Sequence, residues 1–197
     1  WHRALRLETF YKHIYDRTEI QGLNTRGENV HPTIRKAEPK DVPAITEIYK
    51  DVILNTTAVY AYEPYTLENR QAWFEDRTKQ GFPVFVAEQD RQVIGFSTYG
   101  SFRTAPAYLH SVENTIHVHP KFRGCGVGQL LMPPIIEAAK KQNMHTMIAG
   151  IDASNGGSIK FHQKFGFVQV AHFKGVGYKF NRWLDLVFMQ LTLNGEK

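Results

Sequence analysis

The chain of 197 residues has one cysteine, Cys125, so it can form no internal disulfide and no cysteine-based metal cluster. A reducing compartment, the cytoplasm, is the expected setting. Long apolar runs are missing too. The uncharged stretch Val127–Ile136 is about half of what a bilayer span requires, so no membrane partner is expected. The first residues mix Arg, Glu and Asp with aromatics, which is no secretory-signal pattern, and a start at Trp1 leads us to expect missing upstream residues. Low-complexity tracts, internal repeats and runs of like charge are absent as well. The net charge is +5 and the pI near 9.3. Because the basic residues are scattered, that excess points away from nucleic acid and toward a small polyanion such as a nucleotide or coenzyme A.

What is present is ordinary globular composition, 42% hydrophobic and 22% charged, which supports one sizeable core. Residues 1–32 read as an N-terminal extension. Leu7, Phe10, Tyr11, Ile14 and Tyr15 recur at helical spacing, and a Gly- and Asn-containing linker, Gln21–His31, follows. Residues 33–197 read as the domain, in which strands and helices alternate. Expected strands are Thr33–Ala37, Pro83–Glu88, Gln92–Tyr99, Ser111–His119, Thr146–Ile151, Phe167–His172 and Asp185–Leu193. Expected helices run from an Asp41 cap to about Asn55, over Leu67–Gln80 behind a Thr66 cap, over Gly126–Lys141 and over Gly156–Phe165. Pro133 and Pro134 fall inside the third of these, where a kink or restart is expected.

The most informative stretch runs from Ile116 to Leu131. A strand meets a turn at Pro120, then Arg123-Gly-Cys-Gly126-Val-Gly128 opens a helix. Glycines there let consecutive N–H groups converge, with the positive end of the helix dipole behind them, into a site for phosphate or pyrophosphate. The glycines at 124, 126 and 128 do not match the dinucleotide spacing, and no Gly-Lys-Ser/Thr follows, so neither other common phosphate loop fits.

The pattern Val118-x-Pro120-x-x-Arg123-Gly-x-Gly126-x-Gly128-x-x-Leu131 resembles the acetyl-CoA signature of the GCN5-related N-acetyltransferases. Asn155-Gly-Gly-Ser158-Ile-Lys-Phe161-His162-Gln-Lys-Phe165-Gly166-Phe167 resembles the second signature of that superfamily. Asn55–Val59, Gly81–Val84, Tyr108 with Ser111–Glu113, and Gly177 with Lys179 and Arg182–Asp185 narrow the likeness to the phosphinothricin and methionine sulfoximine N-acetyltransferases. The likeness covers about residues 33–193. It implies an α/β fold, a mixed, mostly antiparallel seven-strand sheet with splayed central parallel strands flanked by helices. It further implies a cytoplasmic homodimer that uses acetyl-CoA as co-substrate and needs no metal. Acetyl-CoA would be held by the backbone of Ile116, His117 and Val118, by the loop Arg123, Gly124, Cys125, Gly126, Val127, Gly128 and Gln129, and by Asn155. The acceptor, a small amino-acid-like amine, would meet Arg103, Thr104, Ala105, Glu113, Asn114 and Thr115.

Acetyl transfer to an amine needs a base for the ammonium and a proton for the departing thiolate. The likeness assigns Glu113 as the base. His162 stands where the superfamily commonly has a tyrosine acid, and it is the expected proton donor. Arg103 is suited to pair with an acceptor carboxylate, and Tyr60, Tyr62, Trp73 and Phe74 are candidates for the pocket wall or for plain core. His117 and His119 share a strand face but have no third ligand at recognisable spacing, so no metal is expected. Other readings are an acetyltransferase for a polyamine, an aminoglycoside or a protein N-terminus, and a non-catalytic acyl-CoA-binding regulator.

Overall fold

The computed structural model describes residues 22–23 and 29–194. The expected amphipathic helix around Leu7–Tyr15 lies outside these residues. Part of the expected linker is paired, since Gly22–Leu23 and Asn29–Val30 form a short antiparallel ladder.

Seven strands form one sheet: β1 (Thr33–Lys36), β2 (Val84–Gln89), β3 (Gln92–Ser101), β4 (Ser111–Val118), β5 (Thr146–Asp152), β6 (Val168–Lys179) and β7 (Arg182–Thr192). Their order is β1-β2-β3-β4-β5-β7-β6, and every pair is antiparallel except β4–β5. Among the described residues four α-helices flank it: α1 (Val42–Asn55), α2 (Leu67–Lys79), α3 (Val127–Lys141) and α4 (Gly156–Lys164). The expected sheet architecture is therefore the one observed.

Parallel neighbours need a crossover, and α3 provides it between β4 and β5. Val127, Leu131, Met132, Ile135, Ile136 and Ala139 form its buried stripe. Their main cluster includes Val112, Met147, Phe165, Phe167 and Met189. A second cluster joins Ile45, Ile48 and Tyr49 of α1 and Phe74 of α2 to Val84, Val86 and Phe96. The prolines do not restart α3, which is a single helix. They remove the donors that would serve the Gln129 and Leu130 carbonyls. The next carbonyl, on Leu131, takes the Ser97 hydroxyl at 2.9 Å.

Two local expectations change. Asp41 makes no side-chain cap to α1. Its carboxylate instead holds Arg35 at 2.6 and 2.8 Å and the Glu38 amide at 2.8 Å. The last hairpin is also longer than its sequence suggests, because Phe180 and Asn181 make the turn at φ 51° and 57°. Tight hairpin turns of this kind usually advertise themselves with Asn-Gly or Asp-Gly, and here an aromatic leads. Register shifts interrupt β6 between Gln169 and Ala171 and between Phe173 and Gly177. The second is pinned by Asp185, whose carboxylate accepts from the Gly175 amide and the Lys174 ammonium, both at 2.9 Å. Those bonds hold the Asp185 carboxyl down at about 2. Thr66 does cap α2, accepting from the Asn69 amide at 3.2 Å.

The end of β6 is bolted to α1. The buried Lys179 ammonium donates to the carbonyls of Ile53, Thr56 and Val59 at 2.6, 2.9 and 2.8 Å. Carbonyls at a helix C-terminus have no partner within the helix, and a cation there also opposes the dipole. Lys179→Met keeps the aliphatic stem and deletes the donors. It is expected to lower the unfolding free energy by about 2–3 kcal/mol in urea titration, whereas an unchanged midpoint would show that water serves those carbonyls equally well.

Candidate active site

The β4–β5 ladder stops early. Ser111, Val112 and Glu113 pair with Thr146, Met147 and Ile148, and beyond them the two strands part. The separation opens a cleft of about 1120 Å³. Of the residues singled out from sequence, Glu113, Asn114, Thr115, Ile116, His117, Val118, Arg123, Gly124, Gly126, Val127, Gly128, Gln129, Asn155 and His162 line it.

Gly124 and Gly126 carry φ of +80° and +82°, a backbone that side chains with a Cβ adopt poorly, and Gly126 caps α3 in this conformation. The loop thus turns its backbone, not side chains, toward the cleft. The Gln129 amide is already used, donating to the Gly126 carbonyl at 2.8 Å. The concavity is left to the amides that precede it. Cys125 turns inward to Ala87, Ile94, Phe122 and Leu131, so only its backbone faces the loop interior. Arg123 is braced by an ion pair to Asp51 and donates from Nε to the Val118 carbonyl at 3.1 Å. One lone pair of a carbonyl expected to face coenzyme is therefore already taken.

Strand alternation holds along β4. Ile116 packs against the α3 clusters, whereas His117 meets Tyr49 and Phe96 edge to face, with ring centroids 5.2 and 5.6 Å away. Burial pushes the His117 imidazole down to about 4, so it is neutral. His119 accepts the Lys121 amide through Nδ1. Both histidines thus have structural partners.

Glu113 sits at the fork. Its Oε1 leans over Gly150 of β5, where an added Cβ would come within 3.1 Å. Burial raises the Glu113 carboxyl above its ordinary value of 4.5, and the positive charges of Arg103 and Arg77 oppose that rise. Across the cleft, His162 is buried, and its Nδ1 donates to the Ser158 carbonyl at 2.8 Å. That bond fixes the tautomer, so the neutral ring carries its lone pair on Nε2, which is buried without a hydrogen-bond partner among the described residues. Burial holds the imidazole below its usual value against the pull of the Ser158 carbonyl. With its one proton committed to Ser158, the neutral His162 ring presents a lone pair, not a proton, at Nε2. Asn155 caps α4, its Oδ1 accepting from the Ser158 amide at 3.0 Å.

Arg103, Thr104 and Ala105 are exposed and do not line the cleft. The Arg103 guanidinium covers the Phe102 ring at 4.1 Å and donates to the Phe102 carbonyl. Of the four aromatic candidates, Trp73 lines the cleft and Phe74 is core. Tyr60 packs over Gly177, and Tyr62 donates to the Tyr178 carbonyl at 2.5 Å. The wall also includes Tyr49, Tyr65, Arg70, Arg77 and Gly100, none of which was singled out as a site residue. A glycine inside a strand, as at positions 100 and 150, was the available signal.

Residues 34–188 match the model of the acetyltransferase (GNAT) domain, and the chain belongs to that family. It is 42% identical to the L-amino acid N-acyltransferase MnaT of Escherichia coli over 82% of this chain and 94% of that one. It is 41% identical to the L-methionine sulfoximine/L-methionine sulfone acetyltransferase of Salmonella typhimurium, over 82% and 95%. Phosphinothricin N-acetyltransferase of Streptomyces coelicolor is 30% identical over 81% and 95%. A putative acetyltransferase of Salmonella typhimurium, solved with its cofactor acetyl-CoA, superposes with a TM-score of 0.82 at 40% identity, over 84% of this chain and 95% of that one.

The Glu113 carboxylate has room because position 150 has no side chain. Gly150→Ala would place a Cβ 3.1 Å from Oε1 and 3.2 Å from the Phe188 ring. Displacing the carboxylate by a fraction of an ångström to an ångström is the expected result, and with it a kcat/KM lower by roughly 10-fold or more, measured as thiol release from acetyl-CoA.

Proposed function

We propose that this chain transfers the acetyl group of acetyl-CoA to the amino group of a small amino-acid-like acceptor, of the methionine sulfoximine or phosphinothricin type. One observation carries the reading. A single cleft holds a glycine-built anion loop at a helix N-terminus, an unpaired strand edge, and a carboxylate of raised basicity at the fork. The cationic surroundings of that carboxylate, Arg77 and Arg103, suit an acceptor that bears a negative charge better than a polyamine or aminoglycoside.

The pyrophosphate would rest on the amides of Gly124 through Gly128, with Lys160 and Lys164 lining the same cleft. The free edge of β4 beyond Glu113 would take the pantetheine amides as a strand takes a neighbour. The bound thioester supplies an activated acetyl carbonyl and a thiolate leaving group. Glu113 takes one proton from the acceptor ammonium, which frees the nitrogen lone pair for direct attack as the C–S bond breaks. The second proton leaves the nitrogen as the amide forms. His162, whose Nε2 lone pair is buried and unpartnered among the described residues, can receive it and return it to the thiolate sulfur. No acyl-enzyme is required, and the buried Cys125 thiol has no part in it.

Glu113 must be ionised to act. Its carboxyl lies above 4.5 in the folded chain, so kcat/KM should fall as the pH drops through that raised value. Glu113→Gln keeps the shape and removes the proton acceptor. We expect kcat/KM to fall at least about 10²-fold at pH 7, the acidic limb to vanish, and the residual rate to climb with pH as free amine becomes available. Assays from pH 4 to 10 read this, and a near-wild-type rate at pH 7 would remove Glu113 from the chemistry.

The working form we propose is a cytoplasmic homodimer. The hairpin β6–β7 exposes Val168, Val170, Phe173, Val176, Tyr178, Phe180 and Trp183, with Trp183 69% exposed. An apolar patch of that kind on an outer hairpin is suited to a two-fold contact. Light scattering at micromolar concentration is expected to give twice the chain mass, and Trp183→Glu to shift it toward the monomer.

A further inference from the structure

Four buried polar atoms have no hydrogen-bond partner among the described residues: Arg77 Nη1, Asn114 Nδ2, Asp152 Oδ2 and His162 Nε2. Arg77 supplies the one cation of this set. It projects from the last turn of α2, and its guanidinium lies 5.8 Å from the centroids of both Trp73 and Phe82. It also lies against the α-carbon of Gly100, where an added Cβ would fall 1.5 Å from Nη1. Gly100 is directly opposite Glu113 in the β3–β4 register, and opposite residues of an antiparallel pair share a face. Arg77 therefore fills the space beside Glu113 that a side chain at position 100 would occupy.

The two charges do not meet. No Arg77–Glu113 contact falls within the 4.0 Å of an ion pair, and the carboxylate leans the other way, over Gly150. Arg70, two turns earlier, is engaged by contrast. It stacks 4.0 Å above the Tyr65 ring and donates to Asn69 Oδ1 at 2.7 and 3.2 Å. Arg77 keeps a buried donor in reserve, and a buried charge without a partner is costly until an anion satisfies it.

A guanidinium and a carboxylate facing one gap are the complement of a zwitterion. An α-amino acid carries its carboxylate and its ammonium on a single carbon, so both ends fit such a gap at once. We propose that Arg77 binds the α-carboxylate of the acceptor while Glu113 receives its ammonium, so that Arg77 selects α-amino acids over other amines. This rests on the acetyltransferase reading above and names the group that sets its acceptor. It also moves the carboxylate-binding role expected of Arg103 to a side chain that lines the cleft.

The test compares methionine sulfoximine with its α-carboxamide, assayed with the full chain by thiol release from acetyl-CoA. Wild type is expected to prefer the carboxylate form. In Arg77→Met the ratio of the two kcat/KM values should fall at least about 30-fold, chiefly through KM, and the acidic limb should move to higher pH because a positive neighbour of Glu113 is gone. Gly100→Ala should collapse the same ratio while keeping the arginine, since the new Cβ evicts the guanidinium. Arg77→Lys should retain part of it. Should Arg77→Met fail to fold, the last two variants carry the measurement. A wild type indifferent to the carboxamide, or a variant that keeps the preference, overturns the proposal and leaves acetyl transfer standing. Release of no thiol with either probe, or with any simple amine, overturns the parent reading and this one with it.

Discussion

Everything at the site follows from a ladder that ends too soon. Backbone N–H and C=O groups require partners wherever water is displaced, and a strand edge inside a sheet normally finds them next door. After Glu113 and Ile148 the two central strands stop providing for each other. The missing pairs create an opening and, in the same stroke, line it with backbone ready to bond an extended molecule. The two packed clusters on either face hold the fork apart, since α1 and α2 cover one side and α3 the other. The cleft is thus a property of sheet pairing, and loops decorate it.

That origin explains what could be read from the residues alone. Hydrophobic period gave most helices and strands, and the glycine loop announced its anion site because a chain needs glycine to hold φ near +80°. That Glu113, His162 and Asn155 would share one cleft was legible through their motifs. The part of the cleft wall built by α1 and α2 was not. Tyr49, Arg70 and Arg77 sit on the inner faces of α1 and α2, where a sequence reads core aromatics and solvated cations. Only the three-dimensional meeting of α2 with Gly100 turns Arg77 inward. The His162 tautomer was equally hidden, because it depends on the Ser158 carbonyl one helical turn away. The final hairpin was underestimated for a local reason: Phe180 and Asn181 adopt left-handed backbone without the usual turn residues.

The electrostatics of the cleft are those of a site left unfinished by its own chain. Glu113 is desolvated, Arg77 has a spare donor, and the His162 lone pair is unmatched. A protein tuned only for stability would close these charges on one another or replace them with apolar groups. Separate, they hold a field across a low-dielectric gap, where each is worth more to a bound molecule than it would be in water. Glycines on both neighbouring strands maintain the separation, one admitting the guanidinium and the other the carboxylate.

The interrupted register of β6 has a consequence for how copies of this chain meet. A twelve-residue outermost strand with exposed valines would, if flat, accept another strand, then another, in an open series. The breaks at Gln169–Ala171 and Phe173–Gly177 twist that edge out of true, and Asp185 clamps the second of them. Strand addition loses its template while the apolar side chains stay on display. The homodimer proposed above would then form face to face, through a contact that closes on itself and not one that grows into a fibre.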